Sequence, residues 1–405
     1  MNIKQTHPSV FMILITPFGV MAGYVSVTIA FLFTKAGIPL VLVAPLIAMT
    51  LLPNILKFIW APLVDTTLTV KTWYIISNII TAAGIMLTGI LPIRVAYLPF
   101  MTVIIFISSL GNTFLAMATE SLAAYDTPDN LKGRAGGWLQ AGNLGGLGVG
   151  GGAGLWLSER LPAVWMPGAV IAAACLLCSI GLIFLSEPNS PIKEKSYLKT
   201  IGNLNRDIWT VVKSRMGFLA LFLCFLPIGS GAASNLWSAI SKDWGASADT
   251  VALIIGVVGG VLSAIGCLIG GWICDLMDRK KGYVLFGMIQ ALCAVGMAYS
   301  PRTQQMFIIW TSLYAVSTGL TYAGFSAFTF EAIGKGAAAT KYNVFASLSN
   351  APIYYMIYLD EWAHEKWKAI GMLNLEAVMA LIGMILFITI FVSVNKMKPV
   401  LVTGS

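Results

Sequence analysis

Apolar runs long enough to cross a lipid bilayer recur from one end of the chain to the other. A membrane-spanning helix needs about 20 consecutive, mainly apolar residues. Runs of this kind lie near residues 10–34, 38–62, 73–92, 97–122, 135–158, 164–186, 216–240, 248–275, 282–300, 304–330, 340–359 and 372–394. Charged residues make up only 10% of the chain, against about 25% in soluble domains. The sequence therefore predicts an all-α membrane protein with twelve transmembrane helices.

Lysine and arginine are distributed unevenly between the loops. An even number of spans places both termini on one side of the membrane. Of the 25 Lys and Arg residues, 17 fall in segments on that side, seven fall on the other, and Lys57 lies inside a span. Because the cytoplasmic loops of membrane proteins carry the excess of these cations, both termini are predicted to be cytoplasmic. The net charge of +8 is then a signature of topology, and no nucleic-acid partner is expected.

The second half of the chain repeats features of the first. Asp65 at the end of the second span corresponds to Asp275 at the end of the eighth, at an offset of 210 residues. Glu120 in the fourth span corresponds to Glu331 in the tenth, at an offset of 211. Matches that occur in the same order and at a nearly constant offset indicate a duplicated unit. The predicted organisation is a six-helix bundle at 1–186, a cytoplasmic linker able to form an amphipathic helix at 187–215, and a pseudo-symmetric six-helix bundle at 216–405.

The end of the eighth span carries a patterned group of residues. Gly271, Asp275, Arg279 and Lys280 resemble the loop signature of the major facilitator superfamily of transporters. The resemblance implies two bundles that rock about a central site, with Asp65, Asp275, Arg279 and Lys280 closing a cytoplasmic gate. For Asp275 and Arg279 an ordinary salt bridge at the membrane surface is the alternative.

The stretch Lys57–Asp65 reads KFIWAPLVD and is similar to one transporter group within that superfamily. This group includes bacterial muropeptide permeases, acetyl-coenzyme A transporters and permeases for pyochelin- and rhizobactin-type siderophores. Pro17-Phe18-Gly19 and the short chain fit the siderophore permeases best. Thr119-Glu120 departs from the Gln-Asp pair that muropeptide permeases usually carry at this point.

Among the ionisable residues that lie inside predicted spans or within about a turn of their ends, three are singled out as candidates for transport chemistry. A buried charge in a membrane is costly unless it is hydrated or paired, so such residues are functional candidates. Lys57 either faces a central cavity and attracts an anionic substrate or extends to the inner surface. Glu120 and Glu331 are candidate proton carriers. The alternative is that each caps a helix end or pairs with Arg134 or Lys335.

Uncharged polar residues recur along several spans, where a lipid-facing position would leave them unpaired. In the eleventh span they fall on one helical face, and the set as a whole predicts a hydrogen-bonding cavity for a polar or amphiphilic solute. With Lys57, the candidate substrate-binding residues are Tyr24, Asn112, Gln140, Asn143, Asn235, Tyr322, Ser326, Asn343, Ser347, Asn350 and Tyr354. Each alone is also compatible with hydrogen bonding between helices.

The fifth span is unusually rich in glycine. Gly142, Gly146, Gly150 and Gly154 recur every fourth residue and form one stripe of a helix. In membranes such small residues allow close backbone contact between helices. The eighth span offers Gly256, Gly260 and Ala264 at the same spacing, so the two stripes are predicted to meet between the halves and to slide during rocking. Static packing is the alternative.

Several classes of chemistry lack the residues that they need. The sequence has no P-loop, so ATP is not predicted as the energy source. His7 and His364 are isolated, and the six cysteines stand in apolar runs without a neighbouring histidine. No metal site, cofactor or enzyme active site is therefore expected.

The predicted function is proton-coupled import of an amphiphilic organic solute by a monomer in a bacterial inner membrane. A siderophore is the preferred substrate, and a muropeptide or an acyl-coenzyme A-like solute stays open. A proton/drug antiporter is the first alternative, but the fourth span has no arginine and residues 136–154 have no proline. A non-transporting receptor or scaffold on the same fold is the second, and polar residues in at least six spans speak against it.

Overall fold

The computed structural model describes residues 6–38, 42–43, 46–47, 49–187, 206, 209–333 and 338–396. These residues form helices and connecting turns without a β-strand, which confirms the predicted all-α class. Seven helices in this part of the chain are long and apolar enough to cross a membrane. Large apolar side chains such as Phe100 and Ile183 are exposed on the outside, as expected of a bundle surrounded by lipid.

Helices fall within all twelve of the predicted apolar runs. In the first half they are α1 Ser9–Gly23, α2 Lys57–Thr66, α3 Val70–Ile90, α4 Leu98–Asp126, α5 Lys132–Arg160 and α6 Met166–Leu177. A π-helical turn, Tyr24–Ile29, continues α1 into a last helical segment, Ala30–Lys35, and a short helix, Leu52–Ile55, precedes α2. Most of the predicted linker, 187–215, lies outside the described residues, and residues 209–213 in it are helical.

The second half follows the same plan. Its helices are α7 Arg215–Phe225, α8 Gly259–Leu276, α9 Arg279–Tyr299, α10 Gln304–Ile333, α11 Ala338–Leu348 and α12 Asn350–Lys396. A π-helical segment, Ala252–Val258, leads into α8. The side of the bundle at which α2 and α8 end and α5 and α11 begin is called the gate side below.

The seventh span is broken, which corrects the prediction of one helix near 216–240. Helix α7 ends at Phe225, and the chain resumes as a 3₁₀-helix only at Ala232–Leu236. Pro227 cannot donate a backbone hydrogen bond. Gly229 and Gly231 adopt φ angles of 65° and 70°, a left-handed conformation that glycine tolerates best. The break leaves an irregular segment inside the second half.

The end of the chain also departs from the prediction. Pro352 would clash with the carbonyl of Leu348 in a continuous helix, and α11 ends at that residue. Residues 360–371 lie between the eleventh and twelfth predicted spans, but they are helical except for a single non-helical residue, Lys368, with φ 58°. We call residues 350–367 and 369–396 the first and second arms of α12.

The glycine stripe of α5 packs within its own half, so the predicted partner is wrong. A Cβ atom added at Gly146 would lie 2.7 Å from the carbonyl oxygen of Thr16 in α1. Gly142 and Gly150 are as tightly apposed to the α1 backbone, and Gly154 meets the side chain of Thr28. These four glycines therefore hold α5 against the first span.

A second row of small residues on α5 makes the contact with α8. A Cβ atom added at Gly137 would lie 2.9 Å from the Cα of Gly271, and one added at Gly148 would lie 3.1 Å from the Cα of Gly260. Ala264 meets Gly145 in the same row, whereas an added Cβ at Gly256 would meet open space. The predicted α5–α8 contact is therefore present, and Gly260 belongs to it. Gly256 takes part only through its backbone oxygen, which would lie 3.6 Å from an added Cβ at Gly148, and the predicted stripe does not take part. We call this row the seam.

Candidate functional site

On the gate side, a carboxylate of the first half binds the start of a helix in the second. Asp65, at the end of α2, accepts the backbone N–H groups of Ala339 at 3.3 Å and Thr340 at 2.8 Å. It also accepts the Thr340 hydroxyl at 2.6 Å. The first N–H groups of a helix lack partners within the helix, and the helix dipole places positive charge there. Asp65 thus caps α11 across the boundary between the halves.

Asp275 makes the corresponding contact in the opposite direction. This residue of α8 accepts the backbone N–H groups of Gly133 at 2.7 Å and Arg134 at 3.0 Å, at the start of α5. The Nε of Arg134 lies 3.3 Å from the same carboxylate, and Arg279 lies 3.9 Å away. The two predicted aspartates therefore occupy equivalent positions, and each fastens one half to the other.

The other predicted gate residues form a cluster around Glu331. Its carboxylate lies 3.1 Å from Arg279 and 3.1 Å from Lys280. Arg279 also donates to the carbonyl oxygen of Asp129 in the first half. Glu331 was predicted as a proton carrier, and the alternative pairing with Lys335 lies outside the described residues. The structure places Glu331 beside two cations of its own half.

Glu120 lies at a buried contact between the halves. Its carboxylate is 3.9 Å from the Nζ of Lys57 and accepts the side-chain N–H of Asn343 at 2.9 Å. The predicted alternative partner, Arg134, pairs with Asp275 instead. Lys57, with 13% of its side chain exposed, points inward rather than to the inner surface. Three predicted residues on α2, α4 and α11 thus meet at one point.

A second polar network joins α5 to α10 and α11. The side-chain amide of Gln140 donates to the hydroxyls of Ser326 at 2.8 Å and Tyr342 at 3.4 Å. Those two hydroxyls are 2.8 Å apart, and Asn143 donates to the oxygen of Gln140 at 2.9 Å. The network is buried, so its members satisfy one another between the halves.

The remaining predicted binding residues are dispersed. Asn112 donates to the carbonyl oxygen of Phe18 at 3.0 Å, which links α4 to α1. Asn235 bonds within its own 3₁₀ turn. Tyr24 packs in the core of the first half, where it hydrogen-bonds with Thr88, so its predicted place in a cavity is wrong.

The predicted polar face of the eleventh span is interrupted. Asn343 and Ser347 lie in α11, but Asn350 begins α12 after the break, so the face is not continuous. Asn350 is exposed, and the exposed hydroxyl of Tyr354 lies 3.2 Å from that of Tyr358. Tyr322, on α10, is half-buried. The residues that the fold brings together across the halves are therefore fewer than the sequence predicts.

Sequence reasoning missed three participating residues. Thr340 and Tyr342 lie beside Asn343, and their roles depend on which helices face α11. Glu376 carries a carboxylate inside the apolar run 372–394, a signal that by itself marks a functional candidate. It is buried next to Asp360, which lies between the eleventh and twelfth predicted spans.

Comparison with known proteins places this arrangement among transporters. A family model described as Major Facilitator Superfamily matches residues 8–354. The fucose:proton symporter of E. coli is structurally similar, with a TM-score of 0.69, 16% identity and coverage of 96% of this chain and 98% of that one. The proton:xylose symporter has a TM-score of 0.68 at 13% sequence identity, with coverage of 95% of this chain and 96% of that one. The human organic anion transporter MFSD10 has a TM-score of 0.67 at 13% sequence identity, with coverage of 96% of this chain and 100% of that one.

Proposed function

We propose a specific task for this chain on the premise that it belongs to the Major Facilitator Superfamily and is a membrane transporter. It imports an amphiphilic organic solute, a siderophore above all, together with protons, and it acts as a monomer in a bacterial inner membrane. The observation that carries the proposal is the buried contact of Glu120 with Lys57 and Asn343, which connects two halves that must separate during transport.

Charge balance at Glu120 gives the coupling mechanism. A buried charge is tolerated only when it is paired. With Glu120 ionised, Lys57 is neutralised by that carboxylate, 3.9 Å away. When Glu120 takes up a proton, Lys57 is left without a counter-ion and attracts an anionic group of the substrate instead. One proton and one substrate anion thus enter the site together, and the net charge of the site stays zero.

The gate side is assigned to the cytoplasm by its cations. Arg134, Arg279 and Lys280 lie there among the contacts that join the halves. The positive-inside rule places such residues on the cytoplasmic face. In this orientation the Asp65 and Asp275 caps close the cytoplasmic side, so the conformation described is the one that receives solute from outside.

Proton coupling through Glu120 is tested in proteoliposomes with a radiolabelled ferric siderophore. An inside-alkaline gradient is expected to accelerate uptake by the wild type. Glu120→Gln keeps a hydrogen-bonding side chain but cannot ionise, so the acceleration should be lost while exchange between equal pools of siderophore continues. Glu331→Gln is the matched control, because that carboxylate is paired with cations of its own half, and it should keep the acceleration. Equal acceleration in Glu120→Gln and wild type would remove Glu120 from coupling.

The substrate class is tested by thermal-shift binding to purified protein. Ferric siderophores with a free carboxylate should stabilise it more than muropeptides, acyl-coenzyme A or drugs. A charge-assisted hydrogen bond contributes about 1.5–3 kcal/mol, so Lys57→Met should weaken the binding of an anionic siderophore by roughly 10- to 150-fold. The neutral methyl ester of that siderophore should be much less affected.

The double variant Lys57→Met/Glu120→Gln serves as the control for that measurement. It removes both members of the ion pair and so leaves no unpaired buried charge. If both variants lose as much affinity for the neutral ligand as for the anionic one, Lys57 has a structural role and the proposed anion site is wrong.

A further inference from the structure

Two carboxyl groups are buried against each other in the second half, away from every contact used above. Asp360 lies on the first arm of α12 and Glu376 on the second, with exposures of 0% and 4%. On a continuous helix, residues sixteen positions apart would be separated by about 24 Å. Their carboxyl groups nevertheless lie in hydrogen-bonding contact, because the chain folds back at Lys368.

Hydroxyl groups from two further elements complete the surroundings of Glu376. The hydroxyl of Tyr314, on α10, donates to its Oε1 at 2.7 Å, and that of Ser230 donates to the same oxygen at 3.4 Å. Ser230 stands in the break after α7, between Gly229 and Gly231. The irregular segment of the seventh span therefore delivers a polar group to the carboxyl pair.

The other oxygens of the pair lack donors. Among the described residues, neither oxygen of Asp360 nor the Oε2 of Glu376 receives an N–H or O–H group. No lysine, arginine or histidine in that part of the chain forms an ion pair with either carboxyl group. Tyr314, the titratable neighbour of Glu376, in turn lies near Cys293. Among the described residues, the pair thus contacts hydroxyl groups and has no cation as an ion-pair partner.

Two ionised carboxylates in contact, without a counter-ion and shielded from water, would repel each other strongly. A proton shared between them removes one charge and supplies the missing donor, as in other carboxyl pairs. A divalent metal is a poor occupant, because calcium takes six or more oxygen ligands. The described residues also hold no group of three acidic or other metal-binding side chains.

We propose that Asp360 and Glu376 form a proton-binding site that holds one exchangeable proton between their carboxyl groups. The site is built by α10, both arms of α12 and the break after α7. It is separate from Glu120, which belongs to the first half. The inference does not rest on the proposed transport function, because binding is measured without a substrate.

Infrared spectroscopy of the purified full-length protein tests this site through the carbonyl-stretch band of protonated carboxyl groups. The measurement uses the Glu120→Gln background, so that Glu120 cannot contribute to the band. A band is expected at neutral pH that shifts in D₂O and disappears as the pH is raised. Asp360→Asn and Glu376→Gln should each shift it in frequency, because one buried carboxyl group without a counter-ion stays protonated, and the double variant Asp360→Asn/Glu376→Gln should abolish it. Glu361→Gln, an exposed neighbour of Asp360 on the same arm, should leave it unchanged.

A further variant keeps the test decisive if the two carboxyl variants fold poorly. Tyr314→Phe retains both carboxyl groups but removes the hydroxyl that binds Glu376, so the band should move in frequency without being lost. Absence of the band in the parent protein, or its persistence in the double variant Asp360→Asn/Glu376→Gln, would overturn the proposal. Loss of the band when choline chloride is replaced by sodium chloride would also overturn it, in favour of a sodium site.

Discussion

Replacement of Gly137 by leucine is expected to leave the protein folded but unable to close its gate side. Gly137 lies in the seam, where an added Cβ would stand 2.6 Å from the carbonyl oxygen of Cys267 and 2.9 Å from the Cα of Gly271. Overpacking of a close contact costs about 1–3 kcal/mol. This cost shifts the equilibrium between the closed and the open conformation by roughly 5- to 150-fold. Because the clash is between the halves, their separation relieves it without unfolding either half. Transport should therefore stop.

Cys267 reports the separation directly. Its side chain is buried beside Ala141 of the first half, so the thiol is protected while the gate side is closed. In Gly137→Leu, maleimide labelling of Cys267 should be faster than in the wild type, as measured by mass spectrometry of the labelled peptide. Thermal unfolding measured in parallel should change little.

Two other glycines provide the matched controls. Gly256→Leu projects into open space and should leave both labelling and transport unchanged. Gly150→Leu meets the backbone of Val20 within the first half, so rocking cannot relieve the clash and the amount of folded protein should fall. If Gly137→Leu labels Cys267 at the wild-type rate and still transports, the seam does not have to close during the cycle.

Loss of the Asp65 charge is expected to open the same side from a different contact. Asp65→Asn keeps the shape of the side chain but replaces a carboxylate that accepts three donors of α11. Hydrogen bonds to a charged group contribute about 1.5–3 kcal/mol. The ratio of the closed to the open conformation should therefore fall by roughly 10- to 150-fold. Labelling of Cys267 should rise, and the further replacement Asp275→Asn should raise it again.

Asp278→Asn separates this effect from ordinary helix capping. Asp278 accepts the N–H of Lys281 at 3.0 Å and caps α9 within its own half. Asparagine caps a helix about as well as aspartate, so Asp278→Asn should change the melting temperature little and should not expose Cys267. Equal labelling of Cys267 in Asp65→Asn and Asp278→Asn would contradict a gate function for Asp65.

The gate shows how much of a site can be predicted from local sequence. Asp65 and Asp275 end apolar spans at equivalent points of a repeated pattern, and both bind helix starts, because a carboxylate at a span end needs a donor and a helix N-terminus offers several. Asn343 and Glu120 could also be predicted as site residues, because burying a polar group in a membrane is costly. Their direct contact, however, was not evident from their spacing along the chain.

The sequence by itself determined the helical class, the apolar spans and most of the polar residues that meet between the halves, because these follow from hydrophobicity and local backbone chemistry. Only the tertiary structure decided which neighbour each face meets. Glycines lie on more than one face of α5, so their spacing identifies rows of close contact but not whether α1 or α8 occupies each row. Likewise, Asp360 and Glu376 become a pair only because the chain reverses at Lys368, and a reversal joins residues that no helical periodicity relates.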